Sequence, residues 1–238
     1  MMRRLSTDNG TGRLPGIHTT GGETPSDPAP VGIPGPRVIL IRHAHAKEGA
    51  KDPDRGHHLS EIGQRQAEAL ARRAAKWQLD AIICSDMYRA YETAAAVHRF
   101  HPNVPLIVDA TFREVSAGTL AAFETGDPAQ TDLGARLEAA WGKIVAMPYT
   151  TAAVITHNGM IKYLLGRAIE YGRHPKPPLH SALTGVSGID VKGNGQAHVR
   201  FFNDARHLSP DLVSDVKTWI EDVETGRWSF GVGQEQPR

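Results

Sequence analysis

A single cysteine, Cys84, stands in 238 residues, so no intrachain disulfide can form and packing must hold the fold. Aromatic side chains make up only 6% of the chain, and no apolar run approaches the roughly 18 residues of a membrane span. Excess charge is missing too. The 27 basic and 26 acidic residues leave a net charge of +1, which indicates no nucleic-acid and no membrane-surface partner. The arginines of MMRRLSTDNG are not followed by an apolar segment, so no signal peptide is expected and a cytoplasmic location is. Large apolar side chains are scarce over residues 1–36, where GGETPSDPAPVGIPGP is rich in Gly and Pro. Such a segment buries too little to offset its ordering entropy and is expected to be a flexible tail.

From Arg37 onward, short apolar runs alternate with helical patterns. VILI (38–41), AIIC (81–84), PLIV (105–108) and AAVIT (152–156) each suit a buried strand. LSEIGQRQAEALARRAAKW (59–77) has helical spacing, with Ser60 as a helix cap. Further helical stretches are expected near 86–99, 131–146 and 160–170. GVSGIDV and AHVRFF flank KGNGQ, in which Asn194-Gly195 reads as a hairpin turn. This alternation predicts an α/β fold, a three-layer sandwich with a mostly parallel sheet flanked by helices. The expected boundaries are a tail over 1–36, a catalytic domain over 37–208 and a helical extension over 209–238. In that extension, Leu212, Val213, Val216, Trp219, Ile220 and Val223 form an apolar stripe at helical spacing.

Ligands of such sheets bind beyond the carboxyl ends of the strands. VILI runs into Arg42-His43, AIIC leads through Ser85 to Arg89, and AAVIT ends on His157-Asn158-Gly159. Phe112-Arg113-Glu114 follows PLIV. Neighbouring strands would therefore gather two arginines, two histidines and a glutamate at one sheet edge. That set suits phosphoryl transfer through a histidine. An imidazole can carry a phosphoryl group, arginines bind phosphate oxygens, and a carboxyl can give and take the proton.

Six segments, in order, resemble the histidine phosphatase superfamily, the phosphoglycerate-mutase-like set. They are RHAHA (42–46), HLSEIGQRQA (58–67), CSDMYRAYETA (84–94), FREVSAG (112–118), ITHNG (155–159) and FNDARHL (202–208). The resemblance implies a metal-independent phosphatase with no cofactor. His43 would be the nucleophile, and Glu114 the proton donor and then base. Arg42, Arg89, His157 and Asn158 would hold the phosphate, with His157 also counted as catalytic. Ala46 and Gly49 stand where the mutases carry polar residues, and the stretch from Glu114 to His157 is short, implying a short lid region. Both departures favour the small phosphatase branch and hydrolysis. The rival readings are a phosphoglycerate-type mutase and a non-catalytic module that binds phosphorylated ligands. The partner implied is a phosphorylated small molecule or phosphoprotein, acted on by a monomer or homodimer. Glu124 and Asp127 are alternative acids. His43-x-His45 and His57-His58 lack further ligands at a recognised spacing, so no metal is expected. Cys84 and Arg89 are separated by four residues without glycine, which does not fit a cysteine-phosphatase loop.

Overall fold

The computed structural model describes residues 34–49, 52–116, 118–120, 131–169, 179–192, 195–213, 218–222 and 227–231. Each of the four apolar runs becomes a strand: β1 (Pro34–Arg42), β2 (Ala81–Cys84), β3 (Leu106–Val108) and β4 (Thr151–Thr156). Between and after them lie α1 (Glu61–Ala74), α2 (Tyr88–His98), α3 (Thr131–Val145) and α4 (Asn158–Ala168). Strands β5 (Val186–Lys192) and β6 (Ala197–Asp204) complete a six-stranded sheet of order β3-β2-β4-β1-β5-β6. The first four strands are parallel, and β5 and β6 are antiparallel additions. The turn between those two uses Gly195 at φ 80°; Asn194, its expected partner, lies outside the described residues.

Strand alternation divides the core into two layers. Val38, Leu40, Ala81, Ile83, Ala152 and Val154 face α3 and α4, meeting Leu137, Trp141, Ile144 and Leu164. Ile41, Ile82, Cys84, Ala153 and Ile155 face α1 and α2, meeting Leu70, Ala74, Ala94 and Val97. Both faces of the parallel strands are covered, which gives the three-layer sandwich. Ser60 caps α1 as expected, its hydroxyl accepting the Gly63 N–H at 3.0 Å.

Two boundaries need correction. β1 reaches back to Pro34, so the last residues of the expected tail join the sheet, pairing at Pro34 with Lys192. Residues 1–33 lie outside the described residues. The helix expected after residue 209 is also replaced. A 3-10 turn at Pro210–Leu212 is followed by strands β7 (Thr218–Asp222) and β8 (Arg227–Gly231), paired antiparallel with Trp219 opposite Phe230. TWIED and RWSFG concentrate β-branched and aromatic residues around a Gly-containing connection, a local preference that outweighs the helical stripe. Of the expected lid, residues 121–130 lie outside the description, and α3 is part of the sandwich.

Candidate active site

Register alone brings the two histidine motifs together. β1 and β4 are parallel neighbours whose last residues, Arg42 and Thr156, are partners. The next residues are His43 and His157, and their ring centroids lie 5.0 Å apart. β2 lies on the other side of β4, and the Ser85 N–H donates to the Ile155 carbonyl at 3.0 Å. Ser85 Oγ thereby reaches His157 Nε2 at 2.9 Å, and α2 carries Arg89 over the strand ends. Beyond β3, Thr156 Oγ1 donates to the Phe112 carbonyl at 2.7 Å and pins the segment bearing Glu114 to the same edge.

Hydrogen bonding sets the His43 tautomer. Arginine can only donate, and Arg89 Nε lies 3.1 Å from His43 Nε2, so Nε2 is the bare nitrogen. The proton sits on Nδ1 and is donated to the Ala44 carbonyl at 2.7 Å. Thr93 Oγ1 accepts the Ala44 N–H at 3.0 Å and donates to the Arg89 carbonyl at 2.6 Å, tying nucleophile loop to arginine helix. Burial, then the Arg89 charge, holds the His43 pKa well below the usual imidazole range. Burial, then His43 and Arg89, does the same for His157. Both rings are neutral at pH 7, which leaves the Nε2 lone pair of His43 available.

Glu114 is shifted the other way. Burial raises its pKa against the lowering effect of N–H bonds from Val115 and Gly159 and the charges of Arg89 and Arg42. Oε1 accepts both N–H groups at 2.9 Å, the second from the first turn of α4. This contact requires glycine: a Cβ at Gly159 would lie 1.8 Å from the Val115 carbonyl oxygen and 2.9 Å from Glu114 Oε1. Arg136 of α3 donates to the carbonyls of Thr111, Arg113 and Glu114 at 3.2, 2.7 and 3.2 Å, fixing the acid-bearing segment from behind. Asp86, just past β2, takes a two-pronged contact from Arg113 at 2.8 and 2.6 Å.

Arg42 is held by a turn that sequence reading passed over. Its Nη1 donates to the Ser181 carbonyl at 2.6 Å and lies 3.1 Å from His180 Nε2. Asn158, expected on the phosphate, has its side-chain oxygen on the Ser181 N–H at 2.9 Å. Asn203 Oδ1 takes the Ala182 N–H at 2.7 Å, and His207 Nε2 meets Thr184 Oγ1 at 3.0 Å. Thr184 itself sits at φ 56°, a left-handed conformation rare for a β-branched residue and worth about 1–3 kcal/mol of strain. The FNDARHL segment thus acts on the site through residues 181–184. His180 and Arg136 carry no local motif, and only their contacts reveal them.

His43, Glu114 and His157 each offer a ligand atom within 4.8 Å of the others, the outline of a two-histidine, one-carboxylate metal site. The charges oppose that use. A guanidinium already faces the bare nitrogen of His43, and Arg42 and Arg89 both contribute to the local potential at the two rings. An anion fits where a cation would be repelled. Cys84 is inert: it is buried in β2 and its thiol pKa is pushed up to about 12 by burial and Asp86. His45 binds Ser60 Oγ at 2.8 Å and His58 binds Glu92, so neither is arranged as a metal pair with its neighbour.

Fold and site together define an α/β enzyme of phosphate esters. The description "Histidine phosphatase superfamily (branch 1)" matches residues 38–131. A Schizosaccharomyces pombe protein named "Probable phosphatase C1687.21" is 27% identical over 201 residues, which cover 74% of this chain and 96% of that protein. The mitochondrial serine/threonine-protein phosphatase Pgam5 of Drosophila yakuba is 23% identical over 194 residues, covering 75% of this chain and 66% of its own length. The solved structure of Bacillus stearothermophilus YhfR has the same fold, with TM-score 0.59 and 23% identity over 73% of this chain and 99% of that one. Residues 38–131 thus match the histidine phosphatase superfamily, and the curated relatives that the chain resembles over about three quarters of its length are named phosphatases.

Proposed function

We propose that the chain hydrolyses phosphomonoesters through a covalent phosphohistidine on His43, without a metal. The observation that carries this reading is the His43 ring: its Nδ1–H is fixed on the Ala44 carbonyl and its bare Nε2 is presented to Arg89 at 3.1 Å. In the first step Nε2 attacks phosphorus and the P–O bond to the alcohol breaks. Glu114, whose pKa is raised by burial, gives a proton to the leaving oxygen. In the second step water attacks the phosphohistidine, Glu114 carboxylate takes the water proton, and the P–N electron pair returns to Nε2. Arg42 and Arg89 stabilise the charge on the phosphoryl oxygens throughout, and the neutral His157 ring supplies an N–H donor. Substrates are phosphorylated small molecules or phosphoproteins, and the site of action is the cytoplasm, which cell fractionation tests. Absence of a mutase product follows from Ala46 and Gly49, which offer no polar side chain to retain phosphate.

The test is phosphate release from p-nitrophenyl phosphate with a chelator present. Wild type should turn over at a rate indifferent to the chelator, and His43→Ala should be inactive. Equal rates in a folded His43→Ala protein would remove His43 as nucleophile. Loss of activity on chelation would remove the metal-free chemistry.

A further inference from the structure

A cavity of about 370 Å³ opens directly beside His43 and Arg89, and its chemistry bears on which esters the site accepts. We propose that this cavity holds the alcohol portion of the substrate and selects leaving groups without a second acidic group, polyols or amino alcohols, with Asp52 as the discriminating side chain. This selectivity presupposes the phosphatase reading above. The volume suits an alcohol of up to about hexose size.

The outer wall is formed by Ala46, Asp52, Pro53, Gly56 and His57, tied down by antiparallel bridges between Ala46 and Leu59 and between Asp52 and Gly56. Asp52 is held by its own loop: Oδ1 accepts the N–H groups of Asp54 and Arg55 at 2.9 and 2.7 Å. Gly56, at φ 73°, lets the wall lie against the phosphate arginine, since a Cβ there would stand 3.1 Å from Arg89 Nη1 and 2.8 Å from Met87 Cε. His57 also lines the cavity and has a buried Nδ1 with no protein partner among the described residues.

Positive charge is directed elsewhere. Among the described residues, Arg89 is the only cation lining the cavity, and the phosphoryl group itself requires it. Arg55, on the same loop, donates through Nε to the Asp86 carbonyl at 2.8 Å and lies over the Tyr88 ring at 4.3 Å. A leaving group bearing a carboxylate would meet the Asp52 charge with no described cation to offset it. A hydroxyl or ammonium group would meet an acceptor.

Matched esters test this directly. sn-Glycerol 3-phosphate and 3-phosphoglycerate differ by a hydroxymethyl against a carboxylate, and O-phosphoethanolamine and O-phosphoserine differ by one added carboxylate. Either kcat/KM or, for poor substrates, inhibition of p-nitrophenyl phosphate turnover should favour the less acidic member of each pair by about tenfold, a modest value because Asp52 is exposed. Asp52→Asn keeps an oxygen for the Asp54 and Arg55 N–H groups and removes the charge, so it should narrow both ratios. Equal or reversed ranking in wild type overturns the proposal, as does failure of either pair to inhibit where inorganic phosphate does. If wild type fails to turn over p-nitrophenyl phosphate at all, the phosphatase reading falls and the selectivity falls with it. Normal turnover with equal ranking removes the selectivity alone.

Discussion

His43 and Glu114 are tuned in opposite directions by the same low-dielectric edge of the sheet. Burial disfavours the charged form of each, so the imidazole stays neutral to lower pH and the carboxyl stays protonated to higher pH than their free counterparts. The catalytic cycle needs both of those forms. Activity should therefore fall on the acid side as His43 gains a proton, at a pH below the ordinary imidazole value of about 6.5. On the alkaline side it should fall as Glu114 loses its proton, above the ordinary carboxyl range. Glu114→Gln should lower kcat most for esters with poor leaving groups and abolish the alkaline limb. A pH profile of that variant retaining the limb would assign it to another group. These two residues were legible in the sequence because each follows a strand in a motif. His180 was not legible, because its place beside Arg42 depends on a turn built by residues from α4 and β6.

At the scale of elements, parallel register does most of the assembly. Once β1 and β4 pair through Arg42 and Thr156, the two histidines are adjacent with no further information needed. That is why four strand-end motifs could be read from the sequence as one site. What the spacing did not show is the support behind them. Arg136 reads as an ordinary helix-surface arginine in TDLGARLEAAW, yet it binds three carbonyls of the acid-bearing segment. The C-terminal strands were misread for a related reason: an apolar stripe fits a helical period without revealing that a second strand is available to pair with it. One close junction between elements is α4 against residues 114–115. Gly159→Ala should destabilise the protein by about 1–3 kcal/mol through overpacking and should displace the Glu114 carboxyl. The measurement is a urea titration paired with turnover. Unchanged stability together with unchanged kcat would show that the junction yields freely.

For the whole molecule, the buried imidazoles make stability depend on pH. His43 and His157 have folded pKa values well below that of an unfolded histidine, and His207 is lowered to about 4, chiefly by burial. Below pH about 6.5 the unfolded chain therefore binds more protons at these groups than the folded chain does. Their contribution is present above that pH and is lost as pH falls towards the folded values. The raised carboxyl of Glu114 acts with the opposite sign, one group against three. The urea midpoint should therefore be lower at pH 5 than at pH 7; an equal or higher midpoint at pH 5 would contradict the neutral state of the buried rings.

The most direct test of the account follows phosphorus on the intact chain. Rapid quench of Glu114→Gln with p-nitrophenyl phosphate, followed by intact-mass and peptide analysis under alkaline conditions, should trap one phosphoryl group on His43, because departure of nitrophenolate needs little protonation while hydrolysis of the intermediate lacks its base. Wild type should show the same adduct transiently, and His43→Ala none. Turnover without any phosphorylated chain, or a phosphoryl group on another residue, would contradict the phosphohistidine mechanism.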